Sequence, residues 1–413
     1  MQDGLTSIIE KGVDFFLLTV PILLPIFLIW VLYRNYVNYA QEKKFYSFDY
    51  IVLEIKPPAE VKKSPAAMEL FLVALHQTSG ETTWVKRTFQ GGFRAWFSLE
   101  IVSKGGNIHF YIWTRSVYKR FIESQLYAQY PGAEVNEVED YSQSFDFNPE
   151  KNELFGIEYK LTKPDPYPIK TYVDYALDQG DKEEEQVDPI TPMMEYMGSL
   201  RPGEQMWVQF IVRAHRAQDK VPGKLFAKTD LWQDVAKEEV QKIREESLSK
   251  DDKGGSFTVN QTEGQKKRIA AIERSVAKLG FDVGIRALYM ADQENFDGIN
   301  IPLTIAMLKQ FNSNDLNGFG PYHLTVFDYP WDDFFGIRGK KRKYEILEQY
   351  KGRGYFFTSR PKGWFSYEDR SSFILNTEEL ATMYHLPGQV AQTPTIGRVE
   401  SQRAAPPPNL PIQ

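Results

Sequence analysis

The chain contains 413 residues, of which 42% are hydrophobic and 14% aromatic, and it carries a net charge of -6 at neutral pH. This composition supports folded domains with apolar cores and excludes a wholly disordered protein. The sequence has no cysteine, which excludes disulfides, thiolate metal sites and cysteine nucleophiles. The mild net charge argues against a protein whose whole surface binds nucleic acid.

An uncharged run near the N-terminus, residues 15–33, predicts a transmembrane helix. At a rise of about 1.5 Å per residue it spans roughly 28 Å, close to the thickness of the bilayer hydrocarbon. The bulky residues that follow it offer no cleavage site, which disfavours a signal peptide. The charged residues of 1–14 are Asp3, Glu10 and Asp14 against Lys11, whereas Arg34, Lys43 and Lys44 follow the run. The positive-inside rule therefore predicts a protein of the cytoplasmic (inner) membrane, with its N-terminus outside and its body in the cytoplasm.

Residues 45–150 have the pattern of one α+β domain with the element order βαββαβ. The predicted strands are 50–56, 95–103, 108–114 and 133–141, and the predicted helices are 64–76 and 116–130. Ser64 and Pro65 have the residue types of an N-cap and a first helical position. This order is typical of the ferredoxin-like fold, an antiparallel sheet with two helices on one face.

Residues 151–312 repeat this order with few identities, so we predict a second ferredoxin-like domain in tandem with the first. Its predicted strands are 154–161, 205–214 and 281–291, and its helices begin at Thr191 and Ile301. A charged stretch, 228–279, lies where the first domain has only a four-residue turn. Its two helical patterns, 231–249 and 264–279, indicate an inserted helical hairpin.

Residues 313–385 are predicted to be irregular and aromatic, ending in a short helix capped by Asn376 or Thr377. This segment contains a basic run, namely Arg338, Lys340, Lys341, Arg342 and Lys343. Such a run can bind nucleic-acid phosphates or anionic lipid headgroups, and a solvated surface loop is the commoner alternative. Residues 386–413 are rich in proline and are expected to be extended.

The sequence contains none of the motifs that would indicate an enzyme. It has no phosphate-binding G-x-x-x-x-G-K-[ST] loop, no G-x-S-x-G elbow and no H-E-x-x-H motif. Glu137, Glu139 and Asp140 lie close together, but we expect them to face solvent, and we expect His109 to be a hydrogen-bonded residue of the sheet. We therefore predict a protein without catalytic residues, a metal site or a cofactor.

Seven segments form a distinctive set: Trp96–Ser103, Phe110–Thr114, Glu123–Pro131, Glu137–Tyr141, Leu375–His385, Arg398–Ser401 and Pro406–Pro411. Together they resemble an uncharacterised family of bacterial membrane proteins. Longer relatives in that family continue into an ATPase of the type IV secretion, conjugative coupling kind. Since the Walker motifs are absent here, the resemblance implies a membrane-anchored module that works beside a separately encoded, hexameric-type ATPase.

Two functions are predicted from these observations. The first is a non-catalytic scaffold of a type IV secretion or conjugative DNA-transfer apparatus, whose tail docks the ATPase. The tail residues expected to dock are Arg398, Pro406, Pro407, Pro408, Asn409, Leu410 and Pro411. The alternative is a protein that binds nucleic acid or anionic lipid through the basic run. The sequence leaves the oligomeric state open.

Overall fold

The computed structural model describes residues 2–58, 63–80, 83–178, 187–217, 219–220, 228–246, 248–250, 257–259, 261–327, 329–356 and 372–388. The chain divides into two compact units. One unit is formed by Met1–Asp49 with Ser79–Arg94, and the other by Tyr50–Thr78 with Ala95–Gln413.

The first unit is built around one long helix, α1 (Gln2–Phe45). Over Thr19–Phe45 this helix is long and apolar enough to cross a membrane, as predicted. It continues beyond the predicted end of the apolar run because the polar residues 34–45 include no proline or glycine. After α2 (Ala66–Leu75) of the other unit, the short helix α3 (Trp84–Phe89) returns to pack against α1.

The first half of the second unit begins with β1 (Tyr50–Lys56) and α2. It continues with β2 (Trp96–Lys104), β3 (Asn107–Arg115), α4 (Lys119–Gln129) and β4 (Glu134–Val138). The predicted element order is therefore correct. The predicted N-cap of α2 is wrong by one residue, because the Ser64 carbonyl accepts from the Ala67 N–H in a tighter turn and Pro65 caps the helix.

The second half begins with β5 (Asn152–Leu161), α5 (Thr191–Gly198) and β6 (Glu204–Ala214). An insertion follows, with β7 (Asp219–Lys220), β8 (Lys228–Thr229), α6 (Leu231–Glu246), β9 (Leu248–Lys250), β10 (Phe257–Val259) and α7 (Glu263–Ala277). The half ends with β11 (Gly280–Asp292), α8 (Asn300–Ala306) and β12 (Phe319–Leu324). The two predicted helices of the insertion are present, and they pack on each other through Ala236, Val240 and Ile272.

Strand β12 lies beyond the boundary predicted at residue 312, so the second half extends further than expected. The strand was missed because Gly320 and Pro321 interrupt its pattern, and proline cannot donate to a strand ladder. It forms the edge of the sheet, where a missing donor is tolerated, and its register shifts between Pro321 and His323.

Three further elements complete the described chain: α9 (Ile337–Lys351), β13 (Phe373–Asn376) and α10 (Thr377–Met383). The expectation of an irregular segment over 313–385 is therefore wrong for α9. This helix buries Ile346, Leu347 and Tyr350 on one side. Their helical spacing is not apparent in the sequence because charged residues surround them. The predicted cap of the last helix is confirmed, because the Asn376 side chain accepts from the Glu379 N–H in a capping box.

The long strands form one nine-stranded antiparallel sheet in the order β12-β5-β11-β6-β2-β3-β1-β4, with β13 also paired to β11. The halves join where β2 pairs with β6, from Trp96 opposite Arg213 to Lys104 opposite Gln205. The predicted α+β class is confirmed.

One face of this sheet carries the apolar core, which also receives side chains from α2, α4, α5 and α10. Helix α10 is buried along its whole length. The opposite face carries polar side chains, described next.

Candidate anion-binding site

A row of polar side chains crosses the second face of the sheet from one edge to the other. Its members lie opposite one another on eight successive strands: Asn136, Glu54, Tyr111, Glu100, Gln209, Arg286, Glu158 and His323. Four successive members, from Glu100 to Glu158, are completely buried. A buried charge destabilises a fold by several kcal/mol unless it is paired and hydrogen-bonded, so the partners of this row decide its role.

Glu100 lies at the centre of a hydrogen-bond network. Its Oε1 atom accepts from the Ser98 hydroxyl at 2.6 Å and from Gln209 Nε2 at 2.9 Å. Its Oε2 atom accepts from the Tyr141 hydroxyl at 2.7 Å. Arg353 donates to both oxygens, from Nε at 3.1 Å and from Nη2 at 3.2 Å. The carboxylate is thus bound from several sides by the fold itself.

Arg353 follows α9 and is fully buried, with a φ of 46° that non-glycine residues seldom adopt. Its guanidinium also binds Asp140, with Nη2 2.9 Å from Oδ1. Burial opposes the charge of Arg353, but the carboxylates of Glu100 and Asp140 raise the pKa of its guanidinium well above the usual value. Burial alone would raise the pKa of Asp140, and the hydrogen bond and charge of Arg353 lower it instead.

The expectation that Asp140 faces solvent is therefore wrong, whereas Glu137 and Glu139 are exposed as expected. Asp140 lies after the end of β4, so the in-and-out alternation of strand side chains does not fix its direction. Its side chain therefore contacts Arg353. His109 is hydrogen-bonded within the sheet, as expected, because its Nδ1 lies 2.7 Å from Glu54 Oε1.

The other half of the row is held by Arg286. Its Nη2 atom lies 3.4 Å from Glu158 Oε1 and donates to the Gly354 carbonyl at 2.9 Å. The chain after α9 lies close to the sheet here because Gly284 has no side chain. A Cβ atom on Gly284 would lie 2.5 Å from the Tyr355 ring. Both halves of the sheet thus bind the segment that follows α9.

A pocket of about 220 Å³ lies at the β12 end of the row, between the sheet and α9. It is lined by Glu158, His323, Leu324, Thr325, Arg338, Lys341, Arg342, Glu345 and Ile346. Glu158 is paired with Arg286, and Lys341 lies 3.9 Å from Glu345. Arg338 and Arg342 donate to backbone carbonyls, of Asp332 at 2.7 Å and Leu324 at 3.1 Å. Their charges make the mouth of the pocket suitable for an anion.

Residues 41–398 match the sequence model of a family described as a domain of unknown function, DUF8128. The chain belongs to this family. The match begins within the last part of α1 and includes the whole sheet, the polar row and the pocket. No curated protein matches the chain.

The predicted basic run lies on α9 within the DUF8128 region, and the helix divides it between two environments. Arg342 packs 4.2 Å from the Phe327 ring, and Lys343 forms an ion pair with Glu153. Arg338, Lys340 and Lys341 are exposed, so they are the members of the run that are open to a ligand. A helix rather than a loop therefore presents these charges.

A second ionic cluster lies toward the insertion. Asp282 binds Arg213 Nη2 at 2.8 Å and His215 Nδ1 at 2.6 Å, and Asp230 lies 3.4 Å from His215 Nε2. Burial opposes the charge of His215, but the hydrogen bond and charge of Asp282, together with Asp230, raise its pKa above the usual value. Among the described residues, no group of three or more His, Asp or Glu side chains is arranged to hold a metal ion.

Neither the Glu100–Arg353 network nor the pocket is predicted by the sequence patterns. One available signal was Glu100, a single charge within the apolar strand Trp96–Val102. Except for Ser98, its partners are distant in the chain, namely Tyr141, Gln209 and Arg353, so no local pattern could identify them. The predicted tail residues, Arg398 and Pro406 to Pro411, lie outside the described residues.

Proposed function

We propose that the chain is a membrane-anchored scaffold, held by α1, whose body binds partner proteins and transforms no substrate. One observation carries this proposal: the buried charges of the polar row are paired within the fold, Glu158 with Arg286 and Glu100 with Arg353. A general acid or base must reach its substrate, whereas Glu100 and Arg353 are enclosed and bound to each other. Together with Arg286, which donates to the Gly354 carbonyl, they fix the segment after α9 to both halves of the sheet.

We also propose that the body consists of two ferredoxin-like modules joined edge to edge. This is supported by the strand order, which is β4-β1-β3-β2 in one half and β12-β5-β11-β6 in the other. In both halves the second strand, β2 or β6, lies at the joined edge. Pairing these edges removes two open ladders that could aggregate and extends the platform available for partners.

The proposed location is the cytoplasmic membrane, with the N-terminus outside and the body in the cytoplasm. The distribution of charge around the apolar run supports this orientation, because Arg34, Lys43 and Lys44 follow the run and acidic residues precede it.

The proposed partner is a separately encoded ATPase of the type IV secretion or conjugative coupling kind, as the resemblance implies. Affinity purification of the tagged full chain from native membranes in detergent would test this, with mass spectrometry of the bound proteins. We expect such an ATPase with the full chain and its loss when residues 389–413 are deleted.

The matched control is Lys340→Glu with Lys341→Glu, which leaves the tail intact and should retain the ATPase. Unchanged partners after tail deletion would contradict docking by the tail. If the full chain yields no ATPase at all, the assignment to a secretion or transfer apparatus is wrong.

A second candidate function is anion binding through the basic run, favoured by the pocket between α9 and β12. Arg338 and Lys341 line this pocket, and Lys340, between them in sequence, is exposed on α9. Nucleic acid and anionic lipid both present phosphates to such a site.

A further inference from the structure

We propose that the chain has a second membrane contact, an aromatic–basic surface that binds the headgroup region of an anionic phospholipid bilayer. The surface consists of Tyr329, Trp331, Phe334, Phe335, Ile337, Arg338, Lys340 and Lys341. This inference rests on the proposed anchoring of the chain by α1, and it assigns a ligand to the pocket beside α9.

The apolar part of the surface is unusually open for large side chains. Phe334 and Phe335 are each 79% exposed and Trp331 is 73% exposed, with Tyr329 and Ile337 also exposed. The rings of Tyr329 and Trp331 stack at 4.9 Å, and those of Phe334 and Phe335 meet edge to face at 5.1 Å. Contiguous exposed apolar groups of this kind mark a binding surface.

The start of α9 holds this surface in place. The Asp333 carboxylate accepts from the backbone N–H groups of Arg338 at 2.9 Å and Gly339 at 2.6 Å. The Arg338 side chain returns to the Asp332 carbonyl at 2.7 Å. The aromatic segment is therefore tied to the first turn of the helix that carries the basic residues.

The basic part adjoins the aromatic part and carries the opposite charge to the proposed ligand. Lys340 and Lys341 are exposed, while Arg338 and Lys341 also line the pocket. Asp333 accepts hydrogen bonds at the helix start, and Glu345 lies near Lys341, so part of the local charge is offset. The remaining cations suit a lipid phosphate held at the pocket while the rings enter the interface.

An anionic bilayer explains this combination better than nucleic acid does. A single-strand binding surface gains affinity by stacking bases on flat aromatic rings. Ile337 has no ring on which a base could stack, so this side chain contributes binding free energy only when it is removed from water, as it would be in a bilayer. Aromatic and aliphatic side chains beside lysine are typical of a segment at a membrane surface. An anchored body also meets the bilayer at high effective concentration, so even a weak surface contact is populated.

The test uses the full chain in lipid nanodiscs and exploits the absence of cysteine from the sequence. Phe335→Cys is labelled with a polarity-sensitive dye, in discs of phosphatidylcholine alone and in discs that also contain phosphatidylglycerol. We expect a blue shift and brighter emission only with phosphatidylglycerol. The shift should be lost in about 1 M salt, where charges are screened beyond about 3 Å, and with Lys340→Glu plus Lys341→Glu. Val117→Cys, at an exposed position outside the surface, is the matched control and should show no shift.

Solvent-like emission in both discs would overturn the proposal, as would a shift that ignores lipid charge and salt. A response to an oligonucleotide or to inorganic phosphate in detergent, without one to anionic discs, would also overturn it. Recovery of the chain in the discs measures anchoring separately. Anchored protein with an unshifted dye therefore contradicts this inference alone, and protein excluded from the discs contradicts the anchoring on which it rests.

Discussion

Arg353 joins two carboxylates that the chain places far apart, Glu100 on β2 and Asp140 after β4. Its left-handed backbone costs about 1 kcal/mol or more, and the ionic contacts must offset that strain. The same residue follows the C-terminus of α9, so one side chain fixes a helix, two strands and the row between them.

We expect Arg353→Met to lower the free energy of unfolding by about 3–5 kcal/mol, because Glu100 would remain buried and charged without its ionic partner. Denaturant unfolding of the full chain in detergent would measure this loss. The double variant with Glu100→Gln removes the buried charge and should recover part of it. If the double variant loses the sum of the two single effects, the residues are not coupled.

His215 should make stability depend on pH. Asp282 and Asp230 raise its pKa in the folded chain above the ordinary value of about 6.5, despite the opposing effect of burial. The resulting stabilisation is complete below pH about 6.5 and is lost as the pH rises through the raised pKa. We expect His215→Gln to flatten the fall in melting temperature as the pH rises above about 6.5.

Asp230→Asn provides the graded control for this prediction. It removes the more distant of the two carboxylates, at 3.4 Å, and should flatten the pH profile less than His215→Gln does. Superimposable profiles for the native chain and the His215 variant would show that this cluster does not contribute.

Among the elements, α9 and the segment after it depend on two glycines of the sheet. A Cβ atom on Gly156 would lie 2.8 Å from the Ile346 side chain, and one on Gly284 would lie 2.5 Å from the Tyr355 ring. These close approaches let a helix and an aromatic side chain lie directly on the second face.

We expect Gly284→Val to destabilise the fold by about 1–3 kcal/mol through overpacking against Tyr355. Thermal unfolding of the variant would measure this. Gly320→Val, on the edge strand with only an ordinary contact to Thr162, is the matched control and should be tolerated. Adding Tyr355→Ala should relieve the clash, and failure to do so would contradict this packing.

Most elements could be predicted because their side chains alternate or recur at helical spacing over short windows, as in β1 and α2. Strand β12 could not be predicted from the alternation of its side chains because Pro321 interrupts the pattern. Helix α9 could not be predicted because Ile346 and Tyr350, which it buries, lie among many charged residues. The polar row could not be predicted, because the register of β2 against β6 depends on residues more than a hundred positions apart. The pocket could not be predicted either, because it forms only where α9 packs on β5 and β12, and β5 is distant from α9 in the sequence.

For the whole molecule, orientation is open to a direct measurement because the sequence has no cysteine. We expect an impermeant maleimide to label Ser7→Cys in intact cells, and Val117→Cys only after permeabilisation. Val117 suits this purpose because its side chain is 76% exposed. The reverse labelling pattern would contradict a cytoplasmic body.

The position of α10 near the end of the described chain determines when the body can fold during translation. Thr377 at its start binds Glu69 of α2, and β13 just before it pairs with β11. The contact between Thr377 and Glu69 spans 308 residues, so the core cannot close until the chain has been synthesised beyond Leu386, which is itself buried. The leading helix emerges much earlier and can insert co-translationally. If α1 is the anchor proposed above, the nascent body stays at the bilayer with its hydrophobic core exposed until α10 has been synthesised.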